Sequence, residues 1–385
     1  MNSDSARDAL KSARRIVIKI GTRVVTGKGP GLDLGFLDNL ARQVARLRER
    51  DCQVVIVTSG AVHLGRRALD YRAGNEDISL RQAAAAVGQP ELMRNYMEAF
   101  RAHNLLTAQM LLTQDDMQDR HRYVHLSNTL ETLLRRHVVP VINENDSISM
   151  QGVTFVENDV LAAIIAAKAR ADALVFLSDE AGLYTCDPRT DPSATLISQV
   201  LPQDDVSRFA EGAGGPESRG GMLKKCQAAR LAADCGIPTI MVDGRVPNIV
   251  LKALEGEPIG TIFISRETVS SRKAWLATAV KPSGDLVVDE GARRALLHPD
   301  GASLLPVGIT QVRGGFQTGD LVRVLGPDGE EIGRGTVNYD SGDVDKIKGR
   351  HTSDISRVLG HVGHSEVVHR DNMFIQAKGR GGNAG

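Results

Sequence analysis

The sequence has no excess of either charge, because 47 Lys and Arg residues are balanced by 47 Asp and Glu residues. A chain without net charge has no long-range electrostatic preference for nucleic acid or for an anionic membrane. It also has no apolar run near the roughly 18 residues that a membrane span requires. Residues 1–8 lack the apolar core of a signal peptide. These absences predict a cytoplasmic protein that acts without a membrane.

Cysteine is scarce, and two common nucleotide-binding patterns are missing. No CxxC pair occurs, which favours reduced, mostly structural thiols. The four cysteines are Cys52, Cys186, Cys226 and Cys235. Neither GxxxxGK[ST] nor GxGxxG occurs in the chain, which disfavours P-loop kinases and classical dinucleotide-binding dehydrogenases. No residue is assigned as a direct metal ligand.

Short apolar runs alternate with helical periodicity up to about residue 264. Nearly continuous hydrophobicity over four or five residues is typical of strands that are covered on both faces, as in a parallel sheet. The predicted strands are residues 16–20, 54–57, 138–142, 174–177, 239–242 and 261–264. The predicted helices between them include residues 80–102, 123–136, 160–171 and 222–235. This alternation predicts an α/β fold with an open, mostly parallel sheet sandwiched by helices.

A chain of 385 residues exceeds a comfortable single core, so two domains are expected. After residue 266 the sequence becomes rich in glycine, with short strand-like pieces joined by turns such as Asp328-Gly329. We predict a first domain over residues 1–266, a linker over 267–275, a small β-rich domain over 276–375 and a disordered tail over 376–385.

Two segments at strand ends suggest an anion site. Lys19 lies late in an apolar strand, where a lysine is poorly accommodated unless its ammonium reaches a polar site. Gly21, two residues later, lets the backbone approach a phosphate closely, and Thr22 follows it. Ser59-Gly60-Ala61 ends the next strand in a small turn. Each has a plainer alternative: a lysine on an edge strand that extends into water, and a serine that caps an ordinary turn.

Acidic and amide groups follow other predicted strands. Asp146 closes the run Asn143-Glu-Asn-Asp after one strand, Glu157-Asn158-Asp159 precedes a helix, and Ser178-Asp179 follows another strand. Such residues often only cap local backbone, but here they also suit a substrate ammonium and a network with lysine. The glycine-rich stretch 211–221 runs into a helix predicted to start near Met222, with Lys225 one turn inside it. A helix N-terminus with a lysine binds anions, although a flexible surface loop would fit the same composition.

Phosphoryl transfer to a carboxylate would need this set of groups. A side-chain acid has a pKa of about 4.3, so the nucleophile is already ionised at neutral pH and no general base is required. The obstacle is the repulsion between the carboxylate and ATP. Cations and backbone N–H groups that hold the reactants in line and absorb the developing charge would overcome it.

The motifs together resemble the glutamate 5-kinase family of the amino-acid kinase superfamily. The resemblance rests on ordered segments along nearly the whole chain: 19–22, 57–61, 84–89, 109–113, 140–146, 182–185, 220–222 and 368–373. It implies an amino-acid kinase domain followed by a PUA domain. It also implies ATP-dependent phosphorylation of the γ-carboxylate of L-glutamate, with Mg²⁺, as the first step of proline biosynthesis.

The resemblance also implies roles for individual residues. Lys19 and Lys225 would bridge the phosphoryl groups, and Asp159 would organise them. The residues implied for glutamate are Ser59, Gly60, Ala61, Asp146, Glu157 and Asn158. The residues implied for ATP are Lys19, Gly21, Thr22, Ser178, Asp179, Arg219, Gly220, Gly221, Met222 and Lys225. The sequence departs from the family pattern at Glu157, Arg219, Lys224 and His63, which bears on glutamate and ATP affinity.

Two other functions stay open at the level of sequence. One is a kinase of another amino-acid carboxylate, of the acetylglutamate or aspartate type. The other is an RNA-binding or regulatory protein that acts through the PUA domain. Residues 276–385 carry 13 Lys or Arg against 14 Asp or Glu, so RNA binding is not favoured. The resemblance further implies a homo-oligomer that proline inhibits.

Overall fold

The computed structural model describes residues 3–27, 29, 31–70, 78–113, 116–117, 120–148, 158–188, 190–206, 216–265, 282–298, 302–360 and 364–375. The predicted linker 267–275 and tail 376–385 lie outside these residues. The chain divides into two compact units, with the boundary between residues 267 and 268, and each is described by itself. Within the described ranges, no helix is both long and apolar enough to cross a membrane.

The first unit is built around one eight-stranded sheet. The described residues of this unit form ten strands, eight of them in that sheet: β1 (Arg15–Ile20), β2 (Gln53–Val57), β3 (Thr107–Leu112), β4 (Val139–Glu144), β5 (Ala173–Ser178), β6 (Leu183–Tyr184), β7 (Leu196–Ile197), β8 (Gln199–Val200), β9 (Thr239–Asp243) and β10 (Thr261–Phe263). The sheet order is β3-β4-β2-β1-β5-β9-β10-β8, and β6 pairs with β7 separately. Neighbours from β3 to β9 are parallel, whereas β10 is antiparallel to β9. The predicted α/β fold with a mostly parallel sheet is confirmed.

Nine helices of the first unit fall within the described residues. They are α1 (Ser3–Lys11), α2 (Thr22–Val25), α3 (Leu34–Glu49), α4 (Ala61–Ala68), α5 (Ile78–Arg101), α6 (Arg120–Arg135), α7 (Asn158–Lys168), α8 (Pro216–Asp234) and α9 (Ile249–Leu254). Several core helices follow the apolar stripe of the sequence, as in α3, where the buried residues recur at helical spacing from Leu37 to Leu47. Asp33 caps α3 by accepting a hydrogen bond from the Phe36 N–H at 2.9 Å.

Helices α4 and α5 meet at backbone distance. A Cβ placed on Gly65 would lie 1.7 Å from the Ala84 carbonyl oxygen, and one on Gly88 would lie 1.9 Å from the Ala61 carbonyl oxygen. Neither position has room for a side chain, so the two glycines are required by this packing. The contact fixes α5 against the first residue of α4, directly after the β2 strand end.

Arg7 ties α1 to the last strands of the first unit. Its Nη1 donates to the carbonyl oxygens of Glu257 at 2.9 Å and Ile259 at 2.7 Å. Its Nη2 donates to the carbonyl oxygens of Ser198 at 3.2 Å and Gly260 at 3.4 Å. Arg7 is buried, and these acceptors satisfy a guanidinium that would otherwise be costly to remove from water.

The second unit is a small sheet with short helices. Its strands are β11 (Gly284–Val288), β12 (Ile309–Gly314), β13 (Leu321–Leu325), β14 (Glu331–Val337) and β15 (Val368–Ile375), in the order β12-β11-β13-β14-β15. Its helices are α10 (Glu290–Leu297), α11 (Ser341–Ile347), α12 (Ile355–Leu359) and two short 3₁₀ helices, Pro306–Gly308 and Thr352–Asp354. The predicted turn joins β13 to β14, with Gly329 at φ 82°. The core of the second unit is a separate apolar cluster around Leu286 and Val324.

All four cysteines are free thiols, and Cys52, Cys226 and Cys235 are buried. Burial raises the pKa of Cys52 to about 11 and that of Cys226 to about 12. A thiol reacts through its thiolate, so these two groups are chemically inert near neutral pH.

Candidate active site

The predicted site residues collect at the carboxyl edge of the central strands. In the sheet register, Lys19 is level with Val57 on β2 and with Phe176 on β5. The residues that follow these positions, including Ser59 and Ser178, therefore leave the sheet at one edge. Ligands of open α/β sheets bind at this edge.

Lys19 forms a buried ion pair with Asp159, the second residue of α7. The distance from Lys19 Nζ to Asp159 Oδ1 is 2.5 Å, and each side chain is only 7% exposed. Two charges removed from water in this way are stable only as a pair. β1 lies between β2 and β5, so Lys19 is a buried cation held by a carboxylate and not an edge-strand lysine that extends into solvent.

A chain of side-chain hydrogen bonds extends from Ser59 into the protein. Asn158 Nδ2 donates to Ser59 Oγ at 2.9 Å and to Asn143 Oδ1 at 3.2 Å. Asn143 Nδ2 donates to Gln89 Oε1 at 2.9 Å, and Gln89 Nε2 donates to Gln109 Oε1 at 3.2 Å. Because each amide fixes the next, the chain orients Asn158, the residue next to Asp159.

The turn after β2 has the conformation that its glycine predicts. Gly60 has φ 113°, which a residue with a side chain rarely adopts, and it is the residue that precedes α4. No side chain caps this helix. Ser59 is therefore not a helix cap, and its hydroxyl accepts from Asn158 instead. Ala61, the first residue of α4, is buried.

Lys225 is anchored to the end of β5. Its Nζ donates to Ser178 Oγ at 3.2 Å and lies 3.8 Å from Asp179 Oδ1. Arg23, just after Gly21 and Thr22, donates to Asp179 Oδ2 at 3.1 Å. Partial burial would raise the pKa of Asp179, but Arg23 and Lys225 outweigh it and hold the pKa below the usual aspartate range. Asp179 is thus an ionised centre between two cations.

Asp159 also lies close to the helix that carries Lys225. Helices α7 and α8 pack together. Burial is the main cause of the raised pKa of Cys226; Lys225 opposes it and the charge of Asp159 adds to it. The charge of Asp159 therefore acts on Cys226, the residue after Lys225.

Helix α8 starts earlier than its sequence predicts. It begins at Pro216 and not near Met222, so the backbone of Arg219, Gly220, Gly221 and Met222 lies within it. Proline at the first position has no N–H to lose and is preset for a helix. Lys225 is consequently in the third turn of α8 and not in the first. Its position in the site is therefore determined by its contacts with Ser178 and Asp179, and not by the helix N-terminus. The Arg219 side chain and all of Glu157 lie outside the described residues.

Asp146 lies in the turn after β4 and pairs with an arginine of α5. Arg81 Nη2 lies 3.5 Å from Asp146 Oδ1, and the Asp146 side chain is largely buried. Burial raises the pKa of Asp146, and Arg81 opposes this effect without cancelling it. No sequence pattern singles out Arg81.

Comparison with known proteins identifies the family. Residues 14–243 match the family model described as "Amino acid kinase family", and residues 284–359 match that of the PUA domain. The chain belongs to the amino acid kinase family. A curated glutamate 5-kinase from Azoarcus sp. (strain BH72) is 45% identical over 372 residues, which cover 96% of this chain and 100% of the relative. Another from Geobacter sp. (strain M21) is 45% identical over 96% of this chain and 99% of the relative. Among solved structures, an isopentenyl phosphate kinase matches with a TM-score of 0.47 and 21% identity, over 65% of this chain and 99% of the other.

Within this amino acid kinase, the structure joins seven of the predicted site residues by direct contacts. Lys19 with Asp159, Ser59 with Asn158, and Lys225 with Ser178 and Asp179 form three contact groups at the ends of β1, β2 and β5. Sequence reasoning missed Gln89 as the partner of Asn143 and Arg23 as the partner of Asp179. The position of Arg23 directly after Gly21-Thr22 was the available signal for the second.

Proposed function

We propose that the protein is a cytoplasmic glutamate 5-kinase. It transfers the γ-phosphoryl group of ATP to the γ-carboxylate of L-glutamate and forms L-glutamyl 5-phosphate, the first step of proline biosynthesis. The observation that carries the proposal is the anchoring of two lysines at the carboxyl edge of the sheet, Lys19 by Asp159 and Lys225 by Ser178 and Asp179. The identity to curated glutamate 5-kinases along 96% of the chain supports glutamate over acetylglutamate or aspartate.

The reaction needs positioned cations more than proton transfer. A γ-carboxylate oxygen attacks the γ-phosphorus while the bond to the β–γ bridging oxygen breaks, and ADP leaves with that electron pair. The nucleophile is ionised at neutral pH, so no base removes a proton. In the proposed roles, Lys19 and Lys225 stabilise charge on the transferring group, and Asp159 keeps Lys19 in position.

The remaining roles follow the same division of the site. Glutamate would be held by Ser59, Gly60, Ala61, Asp146, Glu157 and Asn158. ATP would contact Gly21, Thr22, Ser178, Asp179, Arg219, Gly220, Gly221 and Met222. The hydrogen bond from Asn158 to Ser59 supports the first group, because it places neutral polar groups at one strand end. The contacts of Asp179 with Arg23 and Lys225 support the second, because they place two cations around one carboxylate at another strand end.

Mg²⁺ is proposed to enter with ATP. In kinases this ion is usually held by phosphates together with one or two carboxylates, and not by a cage of protein ligands. In the part of the chain that the structure describes, no three His, Cys, Asp or Glu residues cluster as a metal site. Asp159 and Asp179 each lie beside one of the two lysines proposed to bridge the phosphoryl groups, so these carboxylates would be the protein oxygens available to a metal carried by the nucleotide.

The second unit is proposed to regulate or assemble the enzyme and not to bind RNA. Several of its cations are already paired with carboxylates: Arg293, Arg323, Arg334, Lys346, Lys348 and Arg357. Paired cations release few counterions from a phosphate backbone, so RNA affinity should be weak.

A homo-oligomer with proline as feedback inhibitor is also proposed. Strand β3 is at the edge of the sheet, and Val87 and Met97 of α5 are exposed nearby in sequence. An edge strand beside exposed apolar side chains suits pairing with a second copy of the chain. Sedimentation velocity tests the oligomer, and a monomer at every concentration would refute it. Initial rates with and without proline test the inhibition, and equal rates would refute it.

The decisive test of the reaction traps its product. The enzyme is incubated with ATP, Mg²⁺, L-glutamate and hydroxylamine, which converts an acyl phosphate to a coloured hydroxamate. We expect γ-glutamyl hydroxamate from glutamate and far less product from aspartate or N-acetylglutamate. The Lys19→Met variant is the matched inactive control. Equal activity with N-acetylglutamate would overturn the assignment, because that substrate has no free ammonium for Asp146.

A further inference from the structure

The ion pair between Arg81 and Asp146 links α5 to the turn after β4. Asp146 is 13% exposed and Arg81 45% exposed, with 3.5 Å between Nη2 and Oδ1. The geometry is long for a charge-assisted hydrogen bond, which is usually 2.7–2.9 Å. An ion pair at this distance, with its arginine nearly half exposed, adds little to stability. Its place in the fold therefore calls for another explanation.

Helix stability does not explain Arg81 either. It is in the first turn of α5 (Ile78–Arg101), where the helix macrodipole is positive and disfavours a cation. A carboxylate at this position would have stabilised the helix. The arginine instead places a positive charge beside Asp146, a residue proposed to bind the substrate.

Helix α5 contacts the end of β4 at two points. Gln89 accepts a hydrogen bond from Asn143, and Asn143 accepts one from Asn158. Asn158 is next to Asp159, at the reactive end of the proposed site. Arg81 contacts Asp146, eight residues earlier on the same helix and roughly 12 Å along its axis. Arg81 therefore marks the end of the site that is remote from phosphoryl transfer.

An amino acid that reacts through its distal carboxylate presents two opposite charges at this remote end. Its ammonium suits the Asp146 carboxylate. Its α-carboxylate, bonded to the same carbon, would be repelled by Asp146 unless a cation stood beside it. A guanidinium can serve a carboxylate with two parallel N–H donors, and Arg81 is the cation that the structure places at Asp146.

We propose that Arg81 binds the α-carboxylate of the substrate, and that its ion pair with Asp146 is exchanged when the substrate enters. The ammonium takes over Asp146, and the guanidinium takes over the α-carboxylate. The site thereby selects free α-amino acids with both groups unblocked. This inference rests on the proposed glutamate kinase activity and adds the residue that reads the α-carboxylate.

The test compares L-glutamate with its α-amide, which keeps the ammonium and the reactive γ-carboxylate but lacks the α-carboxylate charge. The variants are Arg81→Gln, Arg81→Lys and the control Arg101→Gln, an exposed arginine at the other end of α5. Arg81→Gln should raise the KM for glutamate roughly 10- to 100-fold, as expected for a lost charge-assisted bond. The kcat should change far less, because the reactive end is intact.

The α-amide supplies the readout that a merely structural role would not change. The unmodified enzyme should use the α-amide poorly, and Arg81→Gln should use the α-amide about as poorly as the unmodified enzyme does. Because Arg81→Gln also has a raised KM for glutamate, its preference for glutamate over the α-amide should disappear. Arg81→Lys should restore part of that preference, and Arg101→Gln should keep all of it. An Arg81→Gln enzyme that still preferred glutamate, or that lost both substrates equally, would overturn the proposal.

Calorimetric binding of the two compounds in the absence of ATP separates this inference from the proposed function. If the unmodified enzyme binds glutamate and not the α-amide, Arg81→Gln removes this difference, and no hydroxamate forms, the reaction is wrong while the assignment of Arg81 stands. If binding of the two compounds is equal, the assignment of Arg81 is wrong even where hydroxamate forms.

Discussion

Replacing Lys19 by Met should affect stability and catalysis through two separable effects. The Lys19–Asp159 pair is 2.5 Å long with both side chains 7% exposed. Removing the cation leaves a buried carboxylate without its partner, which typically costs about 3–5 kcal/mol. That is a large share of the roughly 5–15 kcal/mol by which a protein is usually stable. Urea unfolding followed by circular dichroism measures this change.

The double variant Lys19→Met with Asp159→Asn separates the two effects. It removes both charges, so no isolated charge remains buried, and its destabilisation should be smaller than the sum of the two single variants by at least about 1 kcal/mol. Activity should not return. Loss of one preorganised donor costs on the order of 3 kcal/mol of transition-state stabilisation, about a hundredfold or more in kcat. Hydroxamate formation measures kcat in each variant.

Two results would refute this reasoning. Single-variant effects that add within about 0.5 kcal/mol would mean that the two charges do not depend on each other for stability. Near-normal kcat in a folded Lys19→Met enzyme would mean that the lysine only neutralises Asp159 and does not assist phosphoryl transfer.

Three further predictions concern other parts of the chain. Gly88→Ala should raise the KM for glutamate roughly tenfold or more. The new Cβ would lie 1.9 Å from the Ala61 carbonyl oxygen and would displace the turn after β2. Gly29→Ala is the control, because a Cβ there meets nothing within 4 Å. A chain that ends at residue 268 should still form the hydroxamate, since the proposed catalytic residues lie in the first unit, and an inactive but folded truncation would contradict this. Burial raises the pKa of Asp146, and only the ionised carboxylate binds the glutamate ammonium. As the pH is lowered, the KM for glutamate should therefore begin to rise at a higher pH than it would for an ordinary aspartate, whose pKa is about 4. Asp146→Asn should have a high KM without that dependence, and initial rates across pH measure both.

Sequence patterns predicted the parts of the site that local chemistry determines. Lys19 in an apolar strand and Gly60 in a turn each point to a specific backbone environment, and the structure has both. The hydrogen bond between Gln89 and Asn143 was not predictable, because it joins residues 54 apart that meet only when α5 packs beside β4. Periodicity identifies which face of a helix is buried and not which partner it meets.

The start of α8 shows where local preferences mislead. Gly220 and Gly221 each weaken a helix by about 1 kcal/mol relative to alanine, so the sequence suggests a loop there. The structure continues the helix through both glycines. Packing of α8 on α7 and the favourable start at Pro216 outweigh the cost, and neither contribution is visible in composition.

The buried Arg7 has a consequence for the order of synthesis. Its four carbonyl acceptors lie between residues 198 and 260, so α1 completes these hydrogen bonds only after nearly all of the first unit has been synthesised. Strand β1 gains its second neighbour late as well, since Ile16 pairs with Val54 on one side and with Ala173 on the other. A nascent chain that pauses before β10 therefore exposes an unfinished sheet, the state from which aggregation starts. The speed of translation through residues 198–260 should thus influence the yield of folded enzyme.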